Sequence, residues 1–110
     1  MKISTKRDAL FAQLQTVTRA ASTRSAVQAL SGVQVLASSG GIELRATDME
    51  IGLRVPLEGE VVRDGSVVPP ARLVVDVARA LPGDEVTLEL RPAEQDVEIV
   101  GGAATLHIRT

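Results

Sequence analysis

The sequence has 110 residues, the length of one domain, with 45% apolar and 24% charged residues and a net charge of −2. That balance excludes intrinsic disorder and allows one real core, burying roughly two-thirds of the surface the unfolded chain would expose. Without Cys there is no disulfide, thiolate metal site or cysteine nucleophile; with Phe11 as the only aromatic there is no base-stacking platform; and His107 alone cannot build a multi-histidine zinc site.

The chain opens on a short strand, Met1-Lys2-Ile3. A first helix is predicted from Thr5 to Arg19, where Leu10, Leu14 and Val17 recur at i, i+4, i+7 and Phe11 and Thr18 widen the stripe. Small and polar residues from Ala20 to Ser25 then predict an exposed loop carrying Thr23 and Arg24. Val33, Val35 and Ala37 alternate with Gln34 and Leu36, and Gly40-Gly41 marks a turn into the period-2 strand Ile42–Ala46. Thr47 to Glu50 is a polar break before Ile51, Leu53, Val55 and Leu57 alternate again. Glu60 to Val68 is a fourth run, interrupted at Asp64-Gly65.

A second helix starts near Pro70, a residue well suited to a first helical turn. Leu73, Val74, Val77 and Leu81 are its expected apolar stripe, and Arg72, Asp76 and Arg79 form a second stripe. Pro82-Gly83 ends it. Strands follow at Val86–Leu90, Val97–Ile99 and, after the Gly101-Gly102 turn, Leu106–Ile108.

The order strand, helix, strand, strand, strand occurs twice, once from Met1 and once from about Gly59. The expected fold is therefore α+β: two βαβββ units of about 55 residues, with two helices packed on antiparallel sheets. Charge is split along the chain. Residues 1–24 carry a net +4, residues 25–70 a net −3, residues 71–81 a net +1 and residues 82–110 a net −4. The helices are thus expected to present a positive face and the outer sheet face a negative one.

Motifs for chemistry are missing. There is no GxxxxGK[ST], GxGxxG or GxSxG segment. His107 reads as a half-exposed strand residue, since a catalytic His needs a positioned partner set. Asp48 and Glu50 are more consistent with a turn than with a metal site, so no metal, cofactor or catalytic residue is expected. No apolar run approaches the ~18 residues of a membrane span, and the N-terminus lacks an export signal, so a cytoplasmic, membrane-free protein is expected.

Several segments together resemble the N-terminal domain of the bacterial DNA polymerase III beta subunit family, the sliding clamps. They are Met1-Lys2-Ile3 with the Leu10/Leu14/Val17 helix, Leu44-Arg45-Ala46-Thr47-Asp48-Met49-Glu50, and Val68-Pro69-Pro70-Ala71-Arg72 followed by Leu81-Pro82. The similarity runs over essentially all 110 residues. It implies the clamp fold: a ring-shaped homodimer with three similar domains per subunit, each a pair of βαβββ units, helices lining the hole and sheets forming the rim. It also implies a non-catalytic processivity factor that encircles double-stranded DNA, tethers the replicative polymerase and is placed by a clamp loader. A stand-alone clamp-like protein-interaction module without DNA binding is the alternative.

The resemblance implies site residues by position. Arg24 matches the family's DNA-contacting loop arginine and Arg72 the arginine at the second helix start. Arg79 lies two turns along the same face, and Arg19 is a weaker candidate. Solvated helix charge, with Asp76 as the partner of Arg72 or Arg79, is the plain alternative. Leu106 and Ile108 match apolar positions at the family's subunit interface, and packing within this domain's own core is an equal reading. The sequence departs from the family at Leu106, where an aromatic is usual, and at Arg19-Ala20-Ala21-Ser22, where glycine and proline are frequent. The family's second and third domains, with the peptide-binding cleft of the third, have no counterpart here. The chain is expected to be a piece of such a protein or a truncated product, unable to close a ring alone but able to self-associate through edge strands.

Overall fold

Alternating apolar residues set the strands and i, i+4, i+7 stripes set the helices. The computed structural model describes residues 1–20, 32–47 and 52–109. In order these are β1 (Lys2–Lys6), α1 (Arg7–Val17) with a 3-10 turn over Thr18–Ala20, β2 (Gln34–Ser38), β3 (Gly41–Thr47), β4 (Gly52–Leu57), β5 (Gly59–Arg63), β6 (Gly65–Val67), α2 (Ala71–Ala80), β7 (Glu85–Arg91), β8 (Asp96–Gly101) and β9 (Ala104–Arg109). The expected α+β order of two βαβββ units is present, with the fourth run divided into β5 and β6.

The helix starts shift for local reasons. Thr5 belongs to β1, not to the helix: it pairs with Gly59 on one side and Val86 on the other. Its buried hydroxyl donates to the Glu58 carbonyl oxygen, so the side chain is satisfied in the strand. At the other end the Thr18 hydroxyl donates to the Leu14 carbonyl oxygen at 2.6 Å, a second bond to an oxygen that already accepts a backbone N–H at the helix cap.

Two antiparallel sheets carry the helices, in strand orders β5-β1-β7-β8-β9 and β4-β3-β2-β6. The two units are interlaced. Strand β1 of the first unit pairs with β7 of the second, and β6 of the second pairs with β2 of the first. The sheets exchange strands at Asp64-Gly65, where the chain leaves the five-stranded sheet and enters the four-stranded one. Gly65 makes this step at φ +146°.

The core is one aliphatic cluster. Leu10, Leu14 and Val17 of α1 and Ala71, Val74 and Ala78 of α2 are buried with Ile3, Val35, Leu44, Val86, Leu88, Val97 and Ile99 of the sheets. The apolar stripe expected on α2 is corrected. Leu73 is 49% exposed, and the buried line is Ala71, Val74, Ala78 and Leu81. At about 100° per residue those four lie within one arc of roughly 80°, and Leu73 falls about 80° beyond its edge. Small Ala71 and Ala78, which carry little weight in a hydropathy pattern, set the orientation.

The expected negative outer sheet face is also corrected. On the five-stranded sheet, Lys2, Lys6, Arg63, Arg91 and Arg109 stand among Glu60, Glu85, Glu89, Asp96 and Glu98 on one side of the register. Arg63 pairs with Glu89 at 2.6 Å, and this hydrogen bond holds the Glu89 carboxyl below its ordinary pKa. The four-stranded sheet places Glu43, Arg45 and Arg54 outward. Both signs are therefore mixed across strands: Lys2 faces Glu89 and Arg109 faces Asp96, while Glu89 also faces Glu98 and Arg45 faces Arg54. Part of the acid excess sits at Asp8, Glu58, Asp64, Asp84 and Glu94, which lie outside these two faces and are exposed.

Arg91 and Asp96 close the β7–β8 hairpin with two hydrogen bonds of 2.8 Å each. The guanidinium holds the Asp96 carboxyl below its ordinary value and is itself raised. A depressed carboxylate pKa stabilises the fold above the unfolded value, about 4, and that contribution is lost as pH falls toward the folded pKa. Asp96→Asn is expected to lower the melting temperature at neutral pH and to flatten its decline on acidification. Melting curves from about pH 7 down to about pH 3 check this; parallel curves for the two proteins would refute it.

Candidate nucleic-acid interface

Helix α2 begins where the backbone is already tied down. Gly32 and Pro70 form an isolated antiparallel bridge, and the Val33 amide donates to the Pro69 carbonyl oxygen at 3.0 Å. Pro70 caps the helix in an extended conformation without a side-chain hydrogen bond. This sets the exposed side of α2, which carries Arg72, Asp76 and Arg79. Arg72 and Arg79 are seven residues apart, so they point within about 20° of each other and sit about 10 Å apart along the axis.

The two helices run antiparallel. Arg7, at the start of α1, donates from Nη1 to the Arg79 carbonyl oxygen at 3.3 Å, near the end of α2. At the opposite end Thr18 lines a shallow cleft of about 220 Å³ with Ala71, Arg72, Val75 and Asp76. The 3-10 turn that bears Arg19 therefore adjoins the N-terminal end of α2, bringing Arg19 and Arg72 to one end of the helix pair. Both are exposed and, among the described residues, make no ion pair. Asp76 turns toward Arg79, at 3.9 Å, and not toward Arg72. Arg24 lies outside the described residues, as do Thr23, Asp48 and Glu50.

Sequence reasoning missed two participants. Arg7, which no sequence pattern singles out, binds Asp8 at 3.0 Å and the end of α2. Phe11, read as part of the apolar stripe, lies beneath the Arg79 guanidinium, whose carbon is 5.7 Å from the ring centroid. The charge stripe named Arg79, but no local signal pairs residues 68 positions apart.

The last strand separates the two residues that alternation treats alike. Ile108 is 6% exposed and belongs to the core cluster, whereas Leu106 is 39% exposed. Their partners on β8 are Val97 and Ile99, so both lie on the inward face, with Leu106 uncovered. His107 points outward, with Nε2 3.1 Å from Glu98 and Nδ1 3.8 Å from Asp96. No group of His, Asp and Glu among the described residues is arranged to hold a metal ion. No helix among them is long and apolar enough to cross a membrane.

The edge strands differ in protection. Strand β4 carries Pro56 and Arg54, β5 has a register shift opposite Lys2 and Ile3, and β6 has three residues. These are devices that discourage pairing at an edge. Strand β9 has six residues in unbroken register with β8, contains no proline, and exposes Leu106.

Residues 1–110 match the family model described as DNA polymerase III beta subunit, N-terminal domain. The chain belongs to this family. A beta sliding clamp of Streptomyces coelicolor is 31% identical over 107 residues, covering 97% of this chain and 28% of the relative. A beta sliding clamp of Pseudomonas aeruginosa is 30% identical over 112 residues, covering 100% of this chain and 30% of the relative. Among solved structures, a putative DNA polymerase III beta subunit from Eubacterium rectale superposes with a TM-score of 0.93 at 28% identity, over 99% of this chain and 30% of that one. The DNA polymerase sliding clamp from Bacillus subtilis gives 0.90 at 25% identity, again over 99% of this chain and 30% of the other. The chain thus spans less than a third of these clamp proteins, and its interlaced βαβββ pair is the clamp N-terminal domain fold.

Proposed function

We propose that this chain is the first of three domains of a ring-shaped sliding clamp, the processivity factor of DNA polymerase III. In that reading the domain performs no chemistry. It contributes a positive helix face to a homodimeric ring that encircles duplex DNA and, with its other domains, tethers the replicative polymerase after loading by the clamp loader. The observation that carries the reading is the face of α2, where Arg72 and Arg79 project together and Arg72 lacks an acidic partner among the described residues. Guanidinium groups placed this way hold phosphates without reading bases, which suits a ring that slides.

Arg24 and Arg72 are the principal phosphate contacts, with Arg79 and Arg19 beside them. Leu106, on the uncovered end of β9, is the interface residue, and Ile108 supports that strand from the core. A mixed-charge outer surface limits adhesion of DNA outside the ring.

The test is Arg24→Ala with Arg72→Ala in the full-length protein. Affinity for a short duplex and loading onto circular DNA are expected to fall. The slope of log affinity against log salt is expected to drop by about two, roughly one per lost phosphate contact. An unchanged slope would count against both assignments.

A further inference from the structure

Arg79 differs from the other candidate arginines in how it is held. Phe11, the sole aromatic residue of the chain, is half-buried on α1, and the Arg79 guanidinium carbon stands 5.7 Å from its ring centroid. That is within the range in which a cation is attracted to a ring face. Arg7 pins the same end of α2 through the Arg79 carbonyl oxygen. Asp76 approaches Arg79 only to 3.9 Å, beyond hydrogen-bond length, so it does not occupy the guanidinium N–H groups.

We propose that Phe11 is a positioning residue for DNA: its ring forms the platform that presents Arg79 to a backbone phosphate. The proposal rests on the reading of α2 as the DNA-facing surface. A guanidinium drawn over a ring by its charge keeps its N–H groups free for phosphate oxygens. The attraction of the ring favours rotamers that keep the guanidinium there, so less freedom is lost when the phosphate arrives. Arg72 and Arg19 have no such platform among the described residues and remain loose tethers. A lysine at position 79 would supply a point charge without a planar face.

The experiment is equilibrium binding of a short fluorescent duplex to the full-length protein at low salt. Phe11→Leu is expected to weaken binding about two- to five-fold, and Phe11→Tyr to retain wild-type affinity. On an Arg79→Ala background Phe11→Leu is expected to add nothing, and on an Arg72→Ala background to have its full effect. An equal loss from Phe11→Leu with and without Arg79 would overturn the proposal, because Phe11 would then act through the fold. So would Phe11→Leu binding like wild type. If Phe11→Leu does not fold, Arg79→Lys decides against Arg72→Lys: a larger loss at 79 supports the platform, and an equal or smaller one overturns it. If Arg72→Ala weakens binding and Arg79→Ala does not, the platform fails while the DNA-facing surface stands. If neither weakens it, the reading of that surface fails, and the platform with it.

Discussion

Leu14→Ala is expected to cost about 2–5 kcal/mol of stability, the largest loss of any single truncation considered for this domain. Leu14 is 0% exposed and sits at the centre of the α1 stripe, between Leu10 and Val17. Helix α1 packs against β3, β4 and α2, so the residue lies where the helix layer meets the four-stranded sheet. Removing its branched end leaves a void that the β-branched side chains of this core fill poorly, since they have few alternative rotamers. The buried cluster is wholly aliphatic, with Phe11 packed against it from a partly exposed position, so the gap is expected to collapse only in part. Against a total of about 5–15 kcal/mol for a domain of this size, the melting temperature should fall by at least about 10 °C. Equilibrium urea unfolding checks it. A loss under about 1 kcal/mol would mean that α1 is not seated on the sheet as described.

Gly65→Ala is expected to destabilise by about 2–4 kcal/mol through two additive causes. The backbone at Gly65 adopts φ +146°, which side-chain-bearing residues rarely take. An added Cβ would also stand 2.9 Å from the Met1 Cβ and 3.1 Å from the Met1 amide nitrogen. The position is the step between the two sheets, so a shift there disturbs β5 against β1 and β6 against β2 together. Gly41→Ala is the control. It too has a positive φ, +123°, but nothing lies within 4 Å of the added Cβ. It should cost only the backbone strain, about 1–2 kcal/mol. Equal losses in the two variants, read by urea unfolding, would show that the contact with Met1 contributes nothing.

These two sites differ in what the sequence reveals about them. Leu14 is evident from periodicity, because a helix brings i, i+4 and i+7 to one side whatever it packs against. Asp64-Gly65 is visible only as an interruption. Nothing local says that the chain changes sheets there, since that depends on β1 and β2 accepting β5 and β6 as partners. The candidate site divides similarly. The Arg72/Arg79 stripe follows from helical spacing, while the support of Arg79 by Phe11 and Arg7 depends on how α1 crosses α2. Hydropathy puts Leu73 on the apolar stripe because it ranks leucine above alanine, whereas close packing favours the faces of Ala71 and Ala78.

By itself, then, the sequence determined the element order, the doubled βαβββ pattern, the aliphatic core and the charged side of α2. All of these follow from periods of 2.0 and 3.6 residues, which are properties of the local chain. Tertiary structure alone decided the exchange of β1 and β6 between units, the open edge at β9, the burial of Ile108 beside the exposure of Leu106, and the mixing of charge across the sheets. Each of these depends on which distant strand or helix lies alongside, and the free energy of that choice is shared among residues far apart in the chain.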